Sequence, residues 1–156
     1  MKSNNALPDL PAMIAGLVAT PSVSCANPAL DMSNRPVAET LAGWLHDFGF
    51  ECELMPLPGL GDKVNLIARL GPDNGDGLVL AGHLDTVPYD DKGWDSDPFK
   101  LSERDGRYYG LGTTDMKGFL AIAADVSREY SSARFKAPLT LLASADEECG
   151  MDGARA

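Results

Sequence analysis

The chain has 156 residues, 44% of them hydrophobic, with 23 acidic side chains against 13 basic ones for a formal net charge of −10. That composition suits one globular domain of ordinary size. The acidic balance repels phosphate backbones and anionic lipid surfaces, which excludes nucleic acid and membranes as expected partners.

In chain order, residues 9–19 have helix composition, and Pro21 ends that helix because proline disfavours the helical conformation in the residue before it. The apolar segment 12–19 follows Pro8, Asp9 and Pro11 with a single Lys before it, unlike a secretory leader, and no apolar run approaches the roughly 20 residues of a membrane span. A second helix is expected from Ser33 or Asn34, with Pro36 in its first turn. Val37, Leu41, Trp44, Leu45 and Phe48 recur at helical spacing until Gly49. His46 falls off that stripe and is expected on the surface, without a role.

Strands are expected over 51–57 and 64–70 around the turn-forming segment 58–62, followed by a Gly- and Asp-rich loop over 71–77. Residues 78–83 read as a buried strand. A polar and aromatic loop over 88–99 leads into a hairpin around Arg104, Asp105 and Gly106. A helix over 116–130 should bury Phe119, Leu120, Ala123 and Val126. The run 139–145 reads as a strand buried on both faces, ending in the acidic cluster Asp146, Glu147, Glu148. The three cysteines, Cys25, Cys52 and Cys149, are odd in number and lack CxxC spacing, so reduced thiols and a cytoplasmic location are expected.

Alternating strands and helices indicate an α/β fold, whose sites gather outside the carboxyl ends of the strands. His83 and the pair Glu147 and Glu148 both occupy such ends, and Asp115 stands where a loop meets the helix between them. A lone histidine at a strand end is more often structural than a ligand. Here Asp85 lies two residues on, the spacing that shares a strand face, so its carboxylate can accept from the imidazole and fix which nitrogen remains for a metal. Asp85, Asp115, Glu147 and Glu148 crowded at one edge repel each other unless a multivalent cation joins them or their pKa values rise. An imidazole with carboxylates suits zinc or a similar metal.

Four successive motifs, AGHLDTVP, W-x-x-DPF at 94–99, YGLGTTDMKG and ASADEECG, resemble in order and spacing those of the co-catalytic zinc amidohydrolase and exopeptidase family. The stretches LVATPSVS, ALDMSN and LPGLGDKVN are most similar to its acetylornithine deacetylase branch. The resemblance implies a zinc-peptidase-like catalytic domain, a mixed β-sheet flanked by helices, with residues 1–156 as its N-terminal part. It implies His83 as terminal ligand of one Zn2+, Asp115 as the carboxylate bridging two, and Glu148 as terminal ligand of the second. Co2+ is a possible substitute. Asp85 would orient His83, Glu147 would be the general acid/base, and the peptide after Asp115 would be cis.

The implied reaction is removal of acetate from N-acetylornithine, a small-molecule N-acyl amino acid, in arginine synthesis. The rival readings are a succinyl-diaminopimelate desuccinylase, a dipeptidase, or a non-catalytic protein that keeps the fold. The family's further ligand for each zinc and its lid domain, through which it forms homodimers, have no counterpart in these residues. The chain therefore reads as truncated, weak in metal binding and inactive by itself. Trp94 and Phe99 are expected to pack the loop near the site, and Cys149 to be an ordinary thiol.

Overall fold

In the computed structural model, residues 7–131 and 134–156 are described, and the helices begin where local signals place them. Helix α1 (Leu10–Val18) is capped by Asp9, whose carboxylate accepts from the Ala12 N–H at 3.0 Å, and Pro11 sits in the first turn where an N–H is dispensable. Helix α2 (Arg35–Asp47) has Asn34 at its cap position, but the Asn34 amide is spent elsewhere. It donates to the Val64 carbonyl at 2.8 Å and accepts from the Val64 N–H at 2.9 Å, so a buried two-point grip replaces the cap. Gly49, at φ 93, ends α2 in the left-handed region that favours glycine.

Strands β1 (Glu51–Pro56), β2 (Val64–Leu70) and β3 (Leu78–His83) follow, then a small hairpin, β4 (Ser102–Arg104) and β5 (Arg107–Tyr109). Asp105 and Gly106 at the hairpin tip both have positive φ, as the tight two-residue turn requires. A single 3₁₀ turn, Asp91–Gly93, interrupts the expected loop before it. Helix α3 (Lys117–Glu129), strand β6 (Leu139–Ser144) and the short helix α4 (Asp152–Arg155) complete the order.

The main sheet runs β1-β2-β6-β3, antiparallel except for the parallel pair β3 and β6. Helices α1, α2 and α3 pack against one another and against one sheet face, burying Leu17, Leu41, Leu66, Leu120 and Leu141 completely. Among the described residues, no helix is long and apolar enough to cross a membrane.

Three expectations about burial are corrected. Strand β3 is an edge strand rather than a buried one. Among the described residues its only strand neighbour is β6, and Leu78 and Val79 are 60% and 56% exposed. Strand β6 is buried on one face only. Leu139, Leu141 and Ala143 meet the helices, whereas Thr140 and Leu142 are half-buried. Helix α3 buries Leu120, Ala121, Ala123 and Ala124, and leaves Phe119 and Val126 exposed together with Ile122. Small alanines let α3 lie close to α1 and the sheet, so the bulkier side chains face away.

The placement that matters for function is the parallel pair. In its register His83 stands opposite Ser144, so β3 and β6 deliver their carboxyl ends side by side.

Candidate metal centre

His83 closes β3 at an edge where the chain turns away, and the residues that follow it are held by the neighbouring segment 22–23. The Ser22 hydroxyl donates to the Leu84 carbonyl at 2.7 Å, and an isolated parallel bridge joins Val23 to Thr86. The imidazole is buried, 5% exposed. Its Nδ1 donates to the main-chain carbonyl of Asp85 at 3.0 Å, and the Asp85 carboxylate Oδ1 lies 3.6 Å away. The orienting hydrogen bond therefore comes from the Asp85 backbone, and the carboxylate acts on the ring through its charge.

Asp85 is 1% exposed. Its Oδ2 accepts from the Glu148 N–H at 3.0 Å, tying the end of β3 to the acidic turn, while Oδ1 has no hydrogen-bond partner among the described residues. Burial opposes its charge, but the imidazole and the Glu148 N–H prevail and hold its carboxyl below the ordinary range.

On the other side of the ring, Nε2 lies 3.0 Å from Asp115 Oδ1 and 3.7 Å from Glu147 Oε2. Asp115 ends the glycine-rich segment just before α3, and its peptide bond to Met116 is cis. His83, Glu147 and Glu148 each offer a ligand atom within 4.8 Å of the others. All five residues singled out from the sequence thus meet at one edge of the sheet. The electrostatics follow from that crowding. Burial and the neighbouring charges of Asp115 and Glu147 push the Glu148 carboxyl up. Burial pulls the His83 imidazole down, but Asp85 and then Asp115 reverse this and raise its pKa to about 9.

Sequence reasoning did not single out three further residues. Lys117 is completely buried in the first turn of α3, its Nζ donating to the Thr20 carbonyl at 2.7 Å, and burial lowers its pKa to about 8. Lys63 is 3% exposed, and its Nζ meets Asp146 at 2.8 Å and Asp31 at 2.7 Å. Asp146, directly before the acidic pair, has a φ of 62. The available signal was a lysine in each motif, Lys63 directly before Val64 and Lys117 directly after Met116.

Beside the centre lies a cleft of about 480 Å³ whose walls include Trp94, Arg107, Asp115 and Glu148. Trp94 is thus beside the site, whereas Phe99 packs edge-to-face on Tyr89 with ring centroids 5.0 Å apart. Cys149 is exposed and all three thiols are free.

Relatives share both the sequence and the fold. The chain is 50% identical to the acetylornithine deacetylase of Shigella sonnei over 97% of its own length, and 50% identical to that of Pasteurella multocida over 96%. It spans 39% of the length of each. Human carnosine dipeptidase 1 superposes with a TM-score of 0.74 at 26% identity, over 90% of this chain and 32% of that one. A metallo-carboxypeptidase of Sulfolobus solfataricus, at 19% identity and a TM-score of 0.74 over 90% of this chain and 31% of its own, shares the fold. The model of peptidase family M20/M25/M40 matches residues 79–156, the half that contains His83, Asp85, Asp115, Glu147 and Glu148, and the chain belongs to that family.

Proposed function

We propose that this chain carries the metal-binding and acid–base part of a cytoplasmic zinc hydrolase that cleaves the acetyl amide of N-acetylornithine, releasing ornithine and acetate in arginine synthesis. The observation that carries the reading is the convergence of His83, Asp115, Glu147 and Glu148 at one sheet edge. The choice of substrate rests on the 50% identity to acetylornithine deacetylases over nearly the whole chain, against 26% to the dipeptidase.

The donor set fits a divalent metal. One imidazole with its Nδ1 engaged leaves Nε2 as the ligating nitrogen, and the surrounding carboxylates supply hard oxygen donors, a mixture that suits zinc and tolerates Co2+. His83 would hold one ion, Glu148 the other, and Asp115 both. Bound zinc would supply Lewis acidity and bring the pKa of a coordinated water to about 7.

The remaining work falls to the chain's own groups. Asp85 keeps the His83 ring in one orientation and one tautomer. Glu147, with its side chain 39% exposed, can reach solvent as well as the centre. It takes the proton of the attacking water as the new C–O bond forms at the acetyl carbonyl, and returns it to the ornithine nitrogen as the C–N bond breaks. The cleft beside Asp115 and Glu148 has room for a small N-acyl amino acid, with Trp94 and Arg107 on its wall. From these residues each ion would receive one terminal ligand and a share of Asp115, whereas a catalytic zinc usually has three protein ligands. The 156 residues by themselves therefore bind metal weakly, and turnover belongs to a protein of the relatives' length.

The test uses that full-length protein. Among N-acetyl, N-succinyl and dipeptide substrates, N-acetylornithine should give the highest kcat/KM, and preference for a succinyl or peptide substrate would reject the assignment. Glu147→Gln should bind Co2+ as the unmodified protein does while kcat falls by about 10²–10⁴. Undiminished turnover would remove Glu147 from the reaction.

A further inference from the structure

The acidic turn that carries Glu147 and Glu148 is gripped from the neighbouring strand by two buried side chains, spaced two residues apart and so on one face of the extended chain entering β2. The first is Lys63. Its Nζ donates to Asp146 Oδ1 at 2.8 Å, to Asp31 Oδ1 at 2.7 Å and to Ser24 Oγ at 3.1 Å, which places all three ammonium protons. The other carboxylate oxygen of Asp146 accepts from the Gly150 N–H at 2.9 Å, and the Asp146 carbonyl accepts from the Met151 N–H at 2.6 Å. Asp146 is thereby fixed in its left-handed conformation, with φ 62, and that conformation sets the direction in which the next two residues leave β6.

The second is Asn65, 2% exposed. Its Oδ1 accepts from the Ala145 N–H at 3.0 Å and its Nδ2 donates to the Gly153 carbonyl at 2.8 Å, so one amide closes the base of the turn. The fit leaves no slack, since a Cβ on Gly153 would lie 2.7 Å from Asn65 Oδ1 and 2.2 Å from the Ala145 carbonyl.

We propose that Lys63 and Asn65 are positioning residues for the Glu147 and Glu148 carboxylates, acting through Asp146 and the base of the 145–153 turn. Both carboxylates face other acids across the centre, and mutual repulsion drives such a turn outward unless something holds it. Apart from the Asp85 bond to the Glu148 N–H and the bonds from the adjoining Ala154 and Arg155, the described hydrogen bonds that hold the turn from outside it come from these two side chains. A cation with three fixed acceptors holds Asp146 without entering the centre, and misplacement of a reacting group by about 1 Å can cost on the order of 100-fold in rate.

The inference rests on the metallohydrolase reading, and its test separates the two. In the full-length protein, Co2+ affinity by visible absorption, melting of the metal-free form, and kcat and KM are measured for the unmodified protein, Lys63→Met, Lys63→Arg and the double variant Lys63→Met/Asp146→Asn, which keeps a residue suited to the left-handed conformation and an oxygen for the Gly150 N–H, with Glu148→Ala as a control for the centre. Lys63→Met leaves Asp146 buried without its partner and can lose its fold. The double variant removes both charges, so it should melt close to the unmodified protein. It should nevertheless bind Co2+ about 10- to 100-fold more weakly, with kcat lowered and KM unchanged, and Lys63→Arg should recover part of both. Unmodified Co2+ affinity and kcat in a folded Lys63→Met or in the double variant would overturn the positioning role. An unmodified protein whose Co2+ binding is absent, or is unaffected by Glu148→Ala, would overturn the metallohydrolase reading itself.

Discussion

Replacing Asp85 by Asn isolates what the buried charge does to the imidazole. The substitution keeps the side chain's size and an oxygen able to accept from the Glu148 N–H, and removes the negative charge 3.6 Å from His83 Nδ1. At an effective dielectric constant of about 20, two unit charges at that distance attract by about 5 kcal/mol. Burial offsets part of this, and the balance is the rise of the His83 pKa from 6.5 to about 9, on the order of 3 kcal/mol. Without the Asp85 charge, burial and Asp115 remain, and the midpoint in the metal-free protein should fall well below 9. The chain has only two histidines, so proton NMR of the imidazole C–H groups resolves the titration, with His46→Gln identifying the other line. A second readout is stability. Because the folded pKa lies above the unfolded one, protonated His83 stabilises the fold fully below about pH 6.5, and this contribution disappears as pH rises through 9. Between those limits the metal-free protein should lose about 3 kcal/mol of unfolding free energy, and Asp85→Asn should lose much less. A His83 midpoint that stays near 9 in Asp85→Asn would refute the assignment of the shift to that carboxylate.

The same proton competes with metal, since ligation requires neutral imidazole. Co2+ affinity should therefore rise with pH up to about 9 and bring proton release, measured by calorimetry in buffers of different ionisation enthalpy, and pH-independent affinity from 7 to 9 would contradict it. Gly118→Ala should destabilise the fold by more than about 2 kcal/mol, because the new Cβ would meet the Thr113 carbonyl oxygen at 2.1 Å and no rotamer relieves a clash between Cβ and backbone. Gly43→Ala, on an exposed position of α2 with nothing within 4 Å, should instead stabilise it by up to about 1 kcal/mol, both read by chemical denaturation.

Which features were legible in the sequence follows from how local their causes are. The Gly49 stop and the Asp105-Gly106 turn depend on a few adjacent residues, and each stands where its chemistry places it. The edge position of β3 does not. An apolar run of six residues reads the same in the middle of a sheet or at its border, and only the strand order reveals that Leu78 and Val79 lack a neighbour. The face of α3 was legible in part: Leu120 and Ala123 are buried as expected, whereas the close approach to α1 and the sheet selects alanines and leaves Phe119 and Val126 outside. The meeting of His83 with Glu147 and Glu148 was legible because parallel neighbours bring their carboxyl ends to the same side. The Lys63 to Asp146 pair spans 83 residues and joins two antiparallel strands, a contact that no local pattern encodes.

The distribution of positive charge around the centre shows how an acidic chain tolerates so many carboxylates in one place. Lys63 serves Asp146 and Asp31, and Lys117 lies near enough to Asp85 to feel its charge. Neither cation lies within ion-pair distance of Asp115, Glu147 or Glu148. Among the described residues, the only group that does and can carry positive charge is the His83 imidazole when protonated, against Asp115 at 3.0 Å and Glu147 at 3.7 Å. One unit of charge does not balance three carboxylates, and the Glu148 carboxyl is raised first by its burial and then by the charges of Asp115 and Glu147 that the imidazole only partly offsets. A divalent ion taking the place of that proton reverses the balance, because its larger charge favours the ionised form of every carboxylate that meets it. The structural lysines thus hold the scaffold's acids, and the acids of the centre are left to the ligand they converge on.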